Sequence, residues 1–382
     1  MLYHITPVLH IFKLLDMKSL TFLILTTCIM ITSCTEKNDK QMIIKQVDEL
    51  FTSLYPLDQP GAAVLIMKDE EIIFEKGYGI ADMEKMTPID GNTFFNIASV
   101  SKQFSSIALL MLAQDGKLSL DDTVSEWFPE FESELMQKIS LKHLLSHTSG
   151  IPDARDRSDR HFVTTAIDTT SYQYIGKLEK LNFEPGKGYE YMNPTYQLMY
   201  TIIERASGEN FDDFMRNRIF NVAGMQKATY FEEGKVIPNM SHGYLLNDES
   251  GEYEEFDYGE ESFFATKADG GLYTSVKEFC KWELALRNNT LVSENLKIEA
   301  HTPKIKIDDI PYTSYGYGWF IEEKPGFPTK IYHTGDNGGF QIYAGRYPGQ
   351  NILYLFFSNR NDRDREATAE KVDDILKKEG WL

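Results

Sequence analysis

Ser99 and Lys102 are the residues of this 382-residue chain whose types and spacing most directly suggest chemistry, since they close its one Ser-x-x-Lys tetrad. Positions i and i+3 of a helix share a face, so the Lys amine can reach the Ser hydroxyl. A Ser hydroxyl attacks a carbonyl poorly until a base takes its proton. Lys can act as that base only where burial or a neighbouring positive charge lowers its pKa from about 10.4. A helix N-terminus beside Ser99 would help twice: its dipole disfavours the ammonium, and its free N–H groups face a developing oxyanion. Taken alone, a solvated Ser and Lys on a helix surface explain the tetrad equally well.

Two later triplets bear on that choice. Tyr191-Met192-Asn193 follows a Pro185-Gly186 turn and precedes a helix-like stretch, and His333-Thr334-Gly335, followed by Asp336, sits in a strand-like run. Singly, each has a structural explanation: Tyr191 as a packing aromatic, Asn193 as a cap before Pro194, His333 as an ordinary strand residue. His143 and His147 are spaced i, i+4, which can hold zinc, but the Glu of a zinc-protease helix is missing and a loop role is expected. Cys280 lies in a helical pattern with no basic neighbour or partner cysteine and reads as a buried, inert thiol.

The elements that must position these residues follow from periodicity. Ile43, Ile44, Val47, Leu50, Phe51 and Leu54 mark an amphipathic helix ended by Pro56. Residues 61–68 and 71–80 form a hairpin across Asp69 and Glu70. Residues 94–115 read as one long buried helix entered from a loop. From about 118 to 300 short helices and loops dominate, punctuated by Pro and Gly. Four strand-like runs between 315 and 359 then make an antiparallel meander, and residues 364–378 close the chain as a helix with Ala369, Val372, Ile375 and Leu376 on one face. The expected fold class is therefore α+β: an antiparallel sheet built from both chain ends, flanked by helices, around a mostly helical insertion.

In this order, Ser99-x-x-Lys102, Tyr191-x-Asn193 and His333-Thr334-Gly335 resemble the three active-site motifs of the serine β-lactamase and penicillin-binding-protein superfamily, especially its class C and esterase-like branch. The strings LLSHTSGIPD (144–153), DGGLYTS (269–275) and YGYGW (315–319) are similar to connecting segments of that family. The resemblance spans residues 45–382 and implies the β-lactamase/transpeptidase-like fold and an acyl-Ser99 intermediate. It implies Lys102 and Tyr191 as the proton-transfer pair and Asn193 as a residue that orients Lys102 and binds substrate. The strand His333–Gly335 would pair with the substrate, with the oxyanion held by the N–H groups of Ser99 and Asp336. No cofactor or metal is implied. The family usually has Lys where this chain has His333, and a His that is mostly neutral at pH 7 should bind a substrate carboxylate less well. Asp336 is unusual beside an oxyanion hole and should turn its side chain away.

Expected activity is cleavage of an ester, amide or β-lactam bond, with a D-alanyl-D-alanine carboxypeptidase-like wall peptidase or a non-catalytic wall-fragment binder as the alternatives. Substrates would be small molecules or peptides. The formal charge of −19 disfavours nucleic acid. Residues 1–33 read as an upstream segment plus a signal peptide whose true start is Met17. The run Leu20–Ile31 is too short to span a bilayer, which needs about 20 residues. Ile31-Thr32-Ser33-Cys34 resembles a lipobox, which would make Cys34 a lipid anchor, residues 34–44 a tether, and residues 45–382 an exported domain in the bacterial envelope.

Overall fold

A computed structural model describes residues 39–153, 165–232, 234–256 and 266–382. The expected signal peptide, start site and lipidated Cys34 lie outside them. The first described element is the amphipathic helix α1, residues 39–54, which ends before Pro56 because proline cannot continue the hydrogen-bond ladder. The hairpin follows as β1 (Ala62–Lys68) and β2 (Glu71–Tyr78). Asp69 turns it with φ +55°. Short strands β3 (Ile80–Asp82) and β4 (Thr87–Pro88) form a separate ribbon.

The stretch 94–115 departs from the single helix expected. Phe95–Asn96 is strand β5, Ala98–Ser101 is one 3-10 turn, and only Lys102–Gln114 is α-helical, here α2. The apolar run Phe94–Val100 suits strand or helix. Pairing of Phe95 with Thr274 and Asn96 with Tyr273 decides for strand. The middle of the chain holds short helical turns, the helix α3 (Asn193–Ser207) and the helix α4 (Val276–Arg287). It also holds four short strands that periodicity does not reveal: β6 (Thr229–Tyr230), β7 (Tyr244–Leu246), β8 (Tyr253–Glu255) and β9 (Leu272–Thr274).

The C-terminal meander comprises β10 (Ile305–Lys306), β11 (Thr313–Tyr315), β12 (Phe320–Glu322), β13 (Lys330–Asn337), β14 (Phe340–Tyr347) and β15 (Ile352–Ser358). It runs into α5 (Arg365–Lys378), capped by Asp364, whose carboxylate accepts the Ala367 N–H. The sheet order is β10-β11-β12-β13-β14-β15-β1-β2. β1 pairs antiparallel with β15, Ala62 opposite Ser358, so the two chain ends meet in one sheet. Side chains alternate strictly. Ala62, Val64 and Ile66 pack with Ile43, Val47 and Phe51 of α1 and Ala369, Val372 and Leu376 of α5. Ala63, Leu65 and Met67 face α2 and α4 in the larger core with Phe104, Ile107 and Phe279. Both faces of the sheet are covered, which is why β1 and β15 read as continuous apolar runs. Each fully buried Leu, Ile or Phe contributes about 1.5–3 kcal/mol relative to exposure, so these two interfaces hold the sheet rigidly beneath the site.

Candidate active site

Ser99 sits on the 3-10 turn where β5 ends and α2 begins. The turn is strained: Ala98 has φ +47°, a left-handed conformation costly for any residue with a Cβ. Three contacts hold it. The Asn96 carboxamide oxygen accepts the Ala98 N–H at 2.8 Å, the Ile97 N–H donates to Leu272 O at 2.9 Å, and β13 presses on it from the sheet. A Cβ on Gly335 would lie 2.5 Å from Ile97 O and 3.2 Å from the Ser99 nitrogen, so only glycine lets the strand approach the nucleophile this closely.

Lys102 is fully buried one turn further on. Its amine donates to Ser99 Oγ at 3.0 Å, Asn193 Oδ1 at 2.7 Å and the Asp269 carbonyl at 2.8 Å. The last two are acceptors only. A neutral amine that keeps its two protons on them points its lone pair at Ser99. Tyr191 lies beside this group, its ring centroid 5.0 Å from Lys102 Nζ. Burial pushes the phenol pKa well above its ordinary value, and an interaction with Ser99 opposes that shift. The contact falls short of a full hydrogen bond, since the hydroxyl is buried without a bonded partner. Tyr191 is therefore a phenol, not a phenolate, at neutral pH. Asn193, read singly as a possible cap, starts α3 without capping it; its side chain is spent on Lys102.

The third motif divides between the two faces of β13. Strand alternation puts His333 and Gly335 on the Ser99 side, and Thr334 and Asp336 on the α5 side. Asp336 bonds Arg365 Nη1 at 2.7 Å, so its carboxylate turns away from Ser99 as expected. His333 is buried, Nε2 paired with the Tyr315 hydroxyl at 3.0 Å and Nδ1 with Thr334 O at 2.6 Å. Because Thr334 O can only accept, Nδ1 carries the proton and Nε2 accepts from Tyr315. Burial lowers the His333 pKa to about 3. The side chain is neutral and engaged within the protein, so it cannot serve as a cation for a carboxylate. The strand edge is a different matter. β12 covers β13 only as far as Tyr332, and from His333 onward that edge has no strand partner among the described residues.

The cleft above Ser99 holds about 380 Å³ and is lined by Ala98, Ser99, Asn193, Leu245, Phe256, Thr266, Asp269, Asp336, Asn337, Phe340 and Asn361 among others. No Lys or Arg belongs to this described lining. A model of the family described as Beta-lactamase matches residues 48–377. The chain belongs to the beta-lactamase family. A penicillin-binding protein of Bacillus subtilis (strain 168) is 28% identical over 351 residues, covering 88% of this chain and 77% of the relative. Protein flp of Staphylococcus aureus is 26% identical, covering 79% of this chain and 60% of its own length. The octameric penicillin-binding protein homologue from Pyrococcus abyssi superposes with a TM-score of 0.74 at 24% identity, over 90% of this chain and 77% of that one.

This beta-lactamase-family chain brings Ser99, Lys102, Tyr191, Asn193 and Gly335 into one site and leaves the His333 side chain and the Asp336 carboxylate turned elsewhere. The Asp269 carbonyl, His147 and Tyr315 are site elements that motif reading misses. A backbone carbonyl leaves no residue signature; the strings DGGLYTS, LLSHTSG and YGYGW were the only hint. His143 and His147 do not cooperate as a metal pair: His143 Nδ1 meets Ser140, whereas His147 Nδ1 accepts the Met192 N–H. Cys280 is buried, and burial pushes its thiol up to about 12.

Proposed function

We propose that this chain hydrolyses an ester, amide or strained lactam through an acyl-Ser99 intermediate, preferring donors that carry no carboxylate at the β13 end of the cleft. The observation that carries the reading is the Lys102 amine held between Ser99 and two obligate acceptors, Asn193 Oδ1 and Asp269 O. With the amine neutral, the Ser99 proton moves to Nζ as Oγ bonds the carbonyl carbon. The oxyanion is held by the N–H groups of Ser99 and Asp336. As the tetrahedral carbon collapses, the leaving group takes a proton through the Tyr191 hydroxyl, which is replenished from Lys102. Water then enters, gives a proton along the same path, and releases the acid and free Ser99. Neutral His333 and a described lining without Lys or Arg support the preference for uncharged donors, because a desolvated carboxylate needs a paired cation.

In the same reading the chain works in the bacterial envelope, tethered through Cys34. Support comes from the export-like N-terminus and from the name of its Bacillus subtilis relative. Among the described residues no helix is long and apolar enough to cross a membrane.

Intact mass spectrometry after exposure to a fluorophosphonate, and separately to a fluorescent penicillin, tests the mechanism. One adduct on Ser99 is expected with the fluorophosphonate, absent in Ser99→Ala. No adduct on the wild type would end the acyl-enzyme reading, and a penicillin adduct that turns over would extend it to lactams.

A further inference from the structure

His147 combines three features that a loop residue rarely carries together. Its backbone has φ +55°, its ring is buried with 1% exposure, and Nε2 has no hydrogen-bond partner. Left-handed backbone and an orphaned buried polar group each cost stability that the fold must offset. The compensation lies at Tyr191. The His147 carbonyl accepts the Glu190 N–H at 3.1 Å, and Nδ1 accepts the Met192 N–H at 3.1 Å. One residue thus holds the peptide units on both sides of Tyr191. Its ring lies 4.2 Å from the Tyr191 ring, centroid to centroid, at 38°, and 4.9 Å from that of Tyr315. The left-handed turn is what lets the carbonyl and the imidazole of one residue face the same strand of chain. Because Met192 N–H can only donate, Nδ1 must stay unprotonated and Nε2 carries the hydrogen.

We infer that His147 is the positioning residue for Tyr191, clamping Glu190 and Met192 so that the phenol stays against Lys102 and Ser99. The assignment rests on the acyl-Ser99 reading above. Asn should replace His147 best, since its Oδ1 stands where Nδ1 stands and it tolerates left-handed backbone. Gln places its acceptor one atom further out.

The test compares His147→Asn, His147→Gln, His147→Ala and Tyr191→Phe, together with the His147→Ala/Tyr191→Phe double variant, on p-nitrophenyl acetate with thermal unfolding measured alongside. His147→Ala and His147→Gln should lose about 10- to 100-fold in kcat with KM changed less than about threefold, and His147→Asn should stay within about fivefold of wild type. In the Tyr191→Phe background, His147→Ala should cost less than about threefold more, because both changes remove one function. The assignment is overturned if folded His147→Asn is as slow as His147→Gln, if the two losses multiply, or if Tyr191→Phe runs at the wild-type rate. Fluorophosphonate labelling of the same preparations separates the two failures. A labelled wild type with either of the first two results overturns the His147 role alone, a wild-type rate in Tyr191→Phe also removes Tyr191 from the proton path, and an unlabelled wild type overturns the acyl-Ser99 reading as well.

Discussion

At the scale of single residues the site depends on how many acceptors surround one amine. The Lys102 amine donates to Ser99 Oγ, Asn193 Oδ1 and Asp269 O, and of these three acceptor atoms only Ser99 Oγ can also give a proton. Removing Asn193 Oδ1 frees one N–H and lets the amine rotate, so the lone pair no longer points at Ser99. Asn193→Ala should lower kcat by about 10- to 100-fold, the equivalent of about 1.4–2.7 kcal/mol. It should change KM less if substrate contact is the smaller part of its role. Pre-steady-state acylation of Ser99 measures this directly, and an unchanged acylation rate with a raised KM would show that Asn193 only binds substrate. The side chains of this group were legible in the sequence only as an ordered set that resembles the family's three motifs, since singly each had a structural explanation. The Asp269 carbonyl was not, because every residue has one and only the fold aims it.

Among the elements, the 3-10 turn and β13 matter most, and they meet at Gly335. The nearest atoms to a Cβ there are Ile97 O at 2.5 Å, the Ala98 Cβ at 3.0 Å and the Ser99 nitrogen at 3.2 Å. None is the end of a flexible side chain. Gly335→Ala must therefore push either the strand or the already strained Ala98 turn, displacing the nucleophile from Lys102. A shift of about 1 Å costs on the order of 100-fold in rate, and overpacking costs about 1–3 kcal/mol in stability. Stopped-flow acylation together with thermal unfolding should show both losses; full activity in Gly335→Ala would mean that the turn has slack the packing does not show. Sequence patterns located β1, β2, the β13–β15 meander, α1 and α5, because each is a clear helical or strand period, or an unbroken apolar run, bounded by turn residues or charge. They failed at Phe94–Val100, where β5 is a strand only because β9 lies beside it, and at β6 to β9, whose two- and three-residue lengths are too short for any period to register.

For the whole molecule, buried titratable groups set opposing demands on pH. His333 has a pKa of about 3 in place of 6.5, and burial drives His147 and His301 in the same direction. The unfolded chain takes up these protons below pH 6.5 and the native chain does not, so the stability they allow is complete above 6.5 and is lost as pH falls toward 3. Asp168 acts the other way. Burial, and then the charge of Asp269, raises its pKa from 3.8 to about 8, so the native chain keeps a proton that the unfolded chain releases. Its contribution is complete below 3.8 and is lost as pH rises through 8. Three histidines outweigh one carboxyl on the acid side, while between pH 6.5 and 8 only Asp168 among these four changes the balance. Thermal unfolding between about pH 4 and 9 should therefore peak near 6.5. His333→Gln, which keeps an acceptor for Tyr315, should flatten the acid limb, and Asp168→Asn should flatten the alkaline one. Asp168 also accepts the Lys267 and Ala268 N–H groups at 2.7 and 2.9 Å, one peptide before the carbonyl that holds Lys102. Both N–H groups favour the ionised carboxyl, so the cost of losing the proton lies in burial and in the charge of Asp269. An alkaline limb as steep in Asp168→Asn as in the wild type would show that the alkaline loss of stability does not come from Asp168.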